Sequence, residues 1–115
     1  MAIPSGSGSE VLKSSFQTSN STASFLLTVT ANHIYTVISI ICHNISANTV
    51  SPTLTIDPDG GTHGEMHLYQ PTLKTKETFV VNDRFVLNSG DKFYLGNSSG
   101  NDCHVLVTYI DQDWS

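Results

Sequence analysis

The side chains with the best spacing for chemistry lie in His63-Gly64-Glu65-Met66-His67. In an extended chain His63, Glu65 and His67 project from one face, because alternate residues of a strand point the same way. Imidazole and carboxylate together suit zinc or manganese. The helical HExxH spacing is absent and no third histidine is tied to the pair by sequence, so the expectation is a solvated or interface strand without metal or cofactor. Asp57-Pro58-Asp59-Gly60 begins like a calcium loop, with carboxylates at i and i+2 before a glycine. No further ligand and no closing Glu stand in register, so a capped turn is expected there. His33, His43 and His104 have no Ser or Cys nucleophile placed beside them, and no catalytic activity is expected. The two cysteines, Cys42 and Cys103, sit at alternating positions beside apolar residues. They are expected as small buried thiols rather than as a disulfide or as metal ligands.

The elements that must position these groups are strands. Residues 34–43 form the longest β-branched run without a breaker, and such side chains fit a pleated, buried surface. Strict alternation would put Ile34, Thr36, Ile38, Ile40 and Cys42 on one face, and Tyr35, Val37, Ser39, Ile41 and His43 on the other. Residues 24–30 form a second strand with Phe25, Leu27 and Val29 on one face. The short link Ala31-Asn32-His33 predicts a hairpin, with these two strands as antiparallel neighbours. In residues 50–56, Val50, Leu54 and Ile56 point inward, and Pro52 places the strand at an edge or itself at the strand's start. Further strands are expected over 65–69, 77–81, 84–87, 92–95 and 103–110, with a tight turn at Asn82-Asp83 and another at residues 88–91. In the last strand Cys103, Val105, Val107 and Tyr109 oppose His104, Leu106, Thr108 and Ile110.

About eight strands with frequent turn signals and no helical periodicity predict an all-β antiparallel sandwich. The immunoglobulin order of Cys, Trp and Cys is absent, since the single Trp is Trp114, and this favours a jelly roll. Residues 1–23 read as an N-terminal arm and lead-in, with a possible short strand at residues 10–13, and residues 24–115 as a single β-sandwich domain. In the Gly/Ser-rich arm and its end, Ile3, Pro4, Val11 and Leu12 are the apolar anchors expected to meet a neighbouring subunit.

Only 13% of the 115 residues are charged, against about a quarter in average domains. With a net charge of -5 and five Lys and Arg in all, the chain lacks the clustered positive charge that phosphate backbones require. Nucleic acid is not an expected partner. No run approaches the roughly 18 apolar residues of a membrane span, and the first residues lack the basic and apolar regions of a secretory signal. Synthesis in a cytoplasm, without membrane association, is the expectation.

The order of strands and turns also carries a resemblance. It runs from Ile38-Ser39-Ile40-Ile41-Cys42-His43-Asn44 through Leu73-Lys74-Thr75-Lys76-Glu77-Thr78 to Phe85-Val86-Leu87-Asn88-Ser89-Gly90-Asp91-Lys92-Phe93-Tyr94-Leu95 and a closing apolar strand. Over roughly residues 24–111 this resembles a loose group of small β-sandwich structural proteins of tailed bacteriophages. The opening Met1-Ala2-Ile3-Pro4-Ser5-Gly6-Ser7-Gly8 is similar to small virion proteins of marine and cyanobacterial phages. The resemblance implies a virion component: a capsid decoration (cement) protein, or else a neck, tail or fibre-attachment part. A homotrimer docking on a major capsid protein or another virion protein is the expected assembly. A lectin-like module, stacking Tyr35, Tyr69, Tyr94 or Trp114 on sugar, is the competing expectation.

Overall fold

The computed structural model describes residues 9–19, 24–61, 64–97 and 101–114. Among them are nine strands: β1 (Ser9–Ser19), β2 (Ser24–Thr28), β3 (His33–Asn44), β4 (Thr53–Asp57), β5 (Met66–Tyr69), β6 (Thr78–Val81), β7 (Phe85–Leu87), β8 (Lys92–Gly96) and β9 (Cys103–Asp113). The single 3-10 turn among the described residues is Pro58–Gly61. Pairing is nested and antiparallel throughout: β4 with β5, β3 with β6 and β7, β2 with β8, and β1 with β9. A doubled ribbon of this kind, rolled so that successive pairs fall on alternate layers, is a jelly roll. The rolled layers have the orders β1-β9-β3-β6, with β7 also on β3, and β2-β8-β4-β5. The all-β sandwich expected from alternation and turn spacing is therefore the fold.

The expected hairpin between β2 and β3 does not form, because β2 belongs to the four-stranded sheet and β3 to the five-stranded one. The end of β2 is instead tied to the turn before β8: Val29 N–H donates to the Asp91 carbonyl and Gly90 N–H to the Val29 carbonyl. With β2 held there, the following turn, with Asn32 at φ +65°, carries the chain across the sandwich. β6 and β7 likewise are not the two arms of a tight turn. Both run antiparallel to β3, at Ile40 to His43 and at Tyr35 to Val37, so they are one edge strand interrupted at residues 82–84.

Strict alternation also fails inside β3. A bulge lies between Val37 and Ser39 opposite β9. One extra residue in one strand shifts every later side chain to the opposite face. Tyr35 and Val37 are buried before the bulge, and Ile40, Cys42 and Asn44 after it. The expected faces thus hold from Ile40 onward and are inverted before it. A second bulge, between Phe25 and Leu27, lets Leu26 and Leu27 both be buried. β9 has no such interruption in its own burial, and Cys103, Val105, Val107, Tyr109 and Asp111 are buried in strict alternation. Pro52 stands just before β4, where the lack of an N–H costs no ladder bond, and β4 is an inner strand. The core between the layers centres on Val37, Ile40, Leu54, Leu87, Phe93, Leu95, Val105 and Val107, all essentially inaccessible to solvent.

Candidate functional site

Of the disfavoured metal candidates, His67 lies on β5, at the edge of the four-stranded sheet, and Glu65 just before it. His63 lies outside the described residues. Glu65 and His67 are both more than half exposed, with His67 Nε2 4.0 Å from Glu65 Oε2. The other ring nitrogen, His67 Nδ1, is 2.9 Å from Thr55 Oγ1 on β4. Burial first, and then a hydrogen bond to the Glu65 carboxylate, push the Tyr94 phenol above its ordinary pKa. Among the described residues no three His, Cys, Asp or Glu side chains gather as a ligand set. At the loop that begins like a calcium site, Asp91 acts as the cap: its Oδ1 accepts from Asp59 N–H and its Oδ2 from Asn88 N–H, each at 2.9 Å. A Cβ on Gly90 would stand 3.3 Å from Asp59 Oδ1, and its φ of +89° suits glycine, so two turns are locked together at this corner.

The most polar buried cluster joins β1, β3 and β9. Asp111 is 5% exposed and accepts from Lys13 Nζ and from His33 Nδ1, each at 2.7 Å. His33 Nε2 is 3.5 Å from Asp113 Oδ1. Burial raises the Asp111 pKa, but the Lys13 and His33 hydrogen bonds and charges outweigh it and hold the carboxyl below its ordinary value. Both ring nitrogens of His33 face carboxylates, so neither is turned toward a nucleophile as a catalytic base must be. The cluster closes the end of the sandwich, beside the Tyr35 and Tyr109 rings whose centroids are 4.9 Å apart. At the opposite end Asn44, fully buried, donates to the Asn48 and Leu73 carbonyls and accepts from Ser46 N–H and Oγ. It ties two loops to the end of β3.

Cys42 and Cys103 are free and fully buried. Burial, with a smaller repulsion from Cys103, pushes the Cys42 thiol up to about 12. Such thiols are inert as nucleophiles at neutral pH, since the thiolate is the reactive form.

What the sequence pattern conceals is the outer face of the five-stranded sheet. The register lays its residues out in rows. Leu12, Ile110, Thr36 and Val86 form one row; Ser14, Thr108 and Ser39 the next; Phe16, Leu106, Ile41 and Val80 a third. Leu12, Phe16, Val80 and Val86 are exposed by 68, 57, 50 and 52%. One rim carries Glu10, Gln112 and Ile34, with Gln112 Nε2 donating to Glu10 Oε1 at 2.8 Å. The other carries Thr18, His104, His43 and Thr78, with His43 Nδ1 2.8 Å from Thr78 Oγ1 and the Phe16 and His104 rings 5.0 Å apart. Between the rims stand two largely apolar rows flanking a hydroxyl row, none of whose members is ionisable; the exposed Asp83 and Arg84 stand at the outer edge, in the stretch that joins β6 to β7. Of the anchors expected in the lead-in, Leu12 stands on this face, Val11 is exposed on the other side of β1, and Ile3 and Pro4 lie outside the described residues. The available signal was that β9 and β3 are apolar on both faces, in Leu106 and Ile110 and in Ile34 and Ile41 as well as in the core positions.

No family model matches the chain, and no curated protein matches it in sequence. Among solved structures it is similar to a chain from Bacillus endospore appendages, described as a novel family of disulfide-linked pili, at TM-score 0.57 and 14% identity over 100% of this chain and 97% of that one. It is also similar to the globular domain of zebrafish complement 1qA protein, at TM-score 0.44 and 14% identity over 85% of this chain and 94% of that one. The first likeness is one of fold. This chain belongs to the β-sandwich class, in jelly-roll form.

Proposed function

We propose that the chain is a structural subunit of a tailed-phage virion, a capsid decoration (cement) protein that stabilises the shell through contacts between subunits. The observation that supports it most is the exposed, largely apolar face of the five-stranded sheet. Contiguous apolar patches of that kind mark protein contact sites, whereas singly scattered exposed apolar residues do not. The sequence resemblance to small virion sandwiches supports the particular setting, and the likeness in fold to a pilus component agrees with a structural role. That pilus is described as disulfide-linked. Here both cysteines are buried inside the sandwich, so neither is placed to form a disulfide with another subunit. Neck, tail or fibre attachment would use the same surface chemistry. Of the four rings the lectin alternative would use, Tyr35 and Tyr94 are each only 8% exposed and cannot stack on a sugar, which leaves it the half-buried Tyr69 and Trp114.

Particles of the source phage prepared without this chain test the proposal. Adding the purified protein should restore binding at fixed stoichiometry and raise the temperature at which the shell opens. Particles that neither bind the chain nor gain heat stability from it would contradict a cement role.

A further inference from the structure

We infer that the outer face of the five-stranded sheet pairs two copies of this chain about a two-fold axis. The inference rests on the assembly role proposed above and assigns it a surface and a partner. The three rows are symmetric about the hydroxyl row Ser14, Thr108 and Ser39. A two-fold axis along that row lays Phe16, Leu106, Ile41 and Val80 of one copy over Leu12, Ile110, Thr36 and Val86 of the other, and the reverse, as an isologous contact requires. Thr108 then faces Thr108.

The same operation sets the Glu10 and Gln112 rim of one copy over the His104 and His43 rim of the other. Acid meets base-bearing rim rather than its own kind. For a chain of net charge -5, rows that carry no formal charge let two copies meet with little repulsion, with Asp83 and Arg84 confined to the outer edge. Area is sufficient as well. Four strand positions at about 4.8 Å and nine residues at about 3.3 Å give a projected face of about 600 Å², and side-chain relief adds to it. Specific interfaces bury about 600–1,000 Å² per partner. Two sheets packed this way keep their strands within about 30° of each other, the usual aligned arrangement.

The test is the mass of the full-length chain in solution, by light scattering and sedimentation over a concentration series. The chain should reach twice its monomer mass. Phe16→Glu and Val80→Glu, both at exposed positions, should weaken pairing at least tenfold with an unchanged circular dichroism spectrum. Met66→Glu, at an exposed position on the other sheet, should pair as the parent does. With a short bis-maleimide, matched to the about 10 Å between packed sheets, the Thr108→Cys chain should cross-link to a second copy. A chain monomeric at all concentrations, a three-fold mass, or face variants that pair like the parent would each overturn the inference. A monomer that still binds and stabilises phage particles would do so while leaving the cement role standing.

Discussion

Asp111 shows how a single carboxylate can organise one end of the sandwich. It is nearly inaccessible, yet two cationic or proton-bearing partners, Lys13 and His33, satisfy it at 2.7 Å. Its pKa in the fold is depressed, so its contribution to stability is complete above the unfolded carboxylate value of about 3.9 and is lost as pH falls through the lower folded value. Thermal melts between pH 2 and 7 should therefore show a decline below about pH 4 that Asp111→Asn makes shallower. At pH 7 Asp111→Ala should cost about 1–3 kcal/mol in denaturant titrations, because it strands hydrogen-bonding partners at a closed site. Lys13, with its side chain 45% exposed, should matter less when truncated. The thiols offer a second check at this scale. With Cys42 raised to about 12, neither cysteine should react with an alkylating agent in the folded protein at pH 8, and both should react in denaturant.

At the scale of elements, the bulge in β3 decides which face each side chain takes. Removing Ile38 brings Val37 and Ser39 into direct succession opposite Tyr109 and Thr108, and Tyr35, Val37, Ile40 and Cys42 then alternate regularly. A chain lacking Ile38 should fold, with a loss within the about 0.5–3 kcal/mol of ordinary single changes, whereas one lacking Ile41 should fail to fold, because it turns part of the core outward. Chemical denaturation of both deletions separates these outcomes. This element also marks what was legible in the sequence. The long alternation of β9 names its inward residues correctly, since nothing interrupts it. Ile38 is β-branched like Val37 before it and Ile40 and Ile41 beyond Ser39, so its residue type does not announce the extra position. The turn at Asn32 reads equally well as a hairpin or as a crossing between layers, and it is the remote bonds from Val29 to Gly90 and Asp91 that choose the second. For the site, Leu12 was visible as an exposed anchor, but the rows around it depend on pairing across β1, β9, β3, β6 and β7, which lie far apart in the chain.

At the scale of the whole molecule, the long strands β1, β3 and β9, of 11, 12 and 11 residues, face strands of at most 5 residues. The sandwich is thus built on one extended sheet, with its inner face spent on the core and its outer face left apolar. Truncating the centre should weaken the whole: Leu54→Ala, at a fully buried position, should cost about 2–5 kcal/mol by urea unfolding. Truncating the outer face should spare folding and reduce assembly. The proposed role in a virion is tested most directly by quantitative mass spectrometry of phage particles purified from a lysate in which this chain is produced. The account predicts that this chain is present in many copies, at a fixed ratio to the major capsid protein and retained through repeated gradient purification. Its absence from such particles, with the chain recovered only from the unassembled fraction of the lysate, would contradict it.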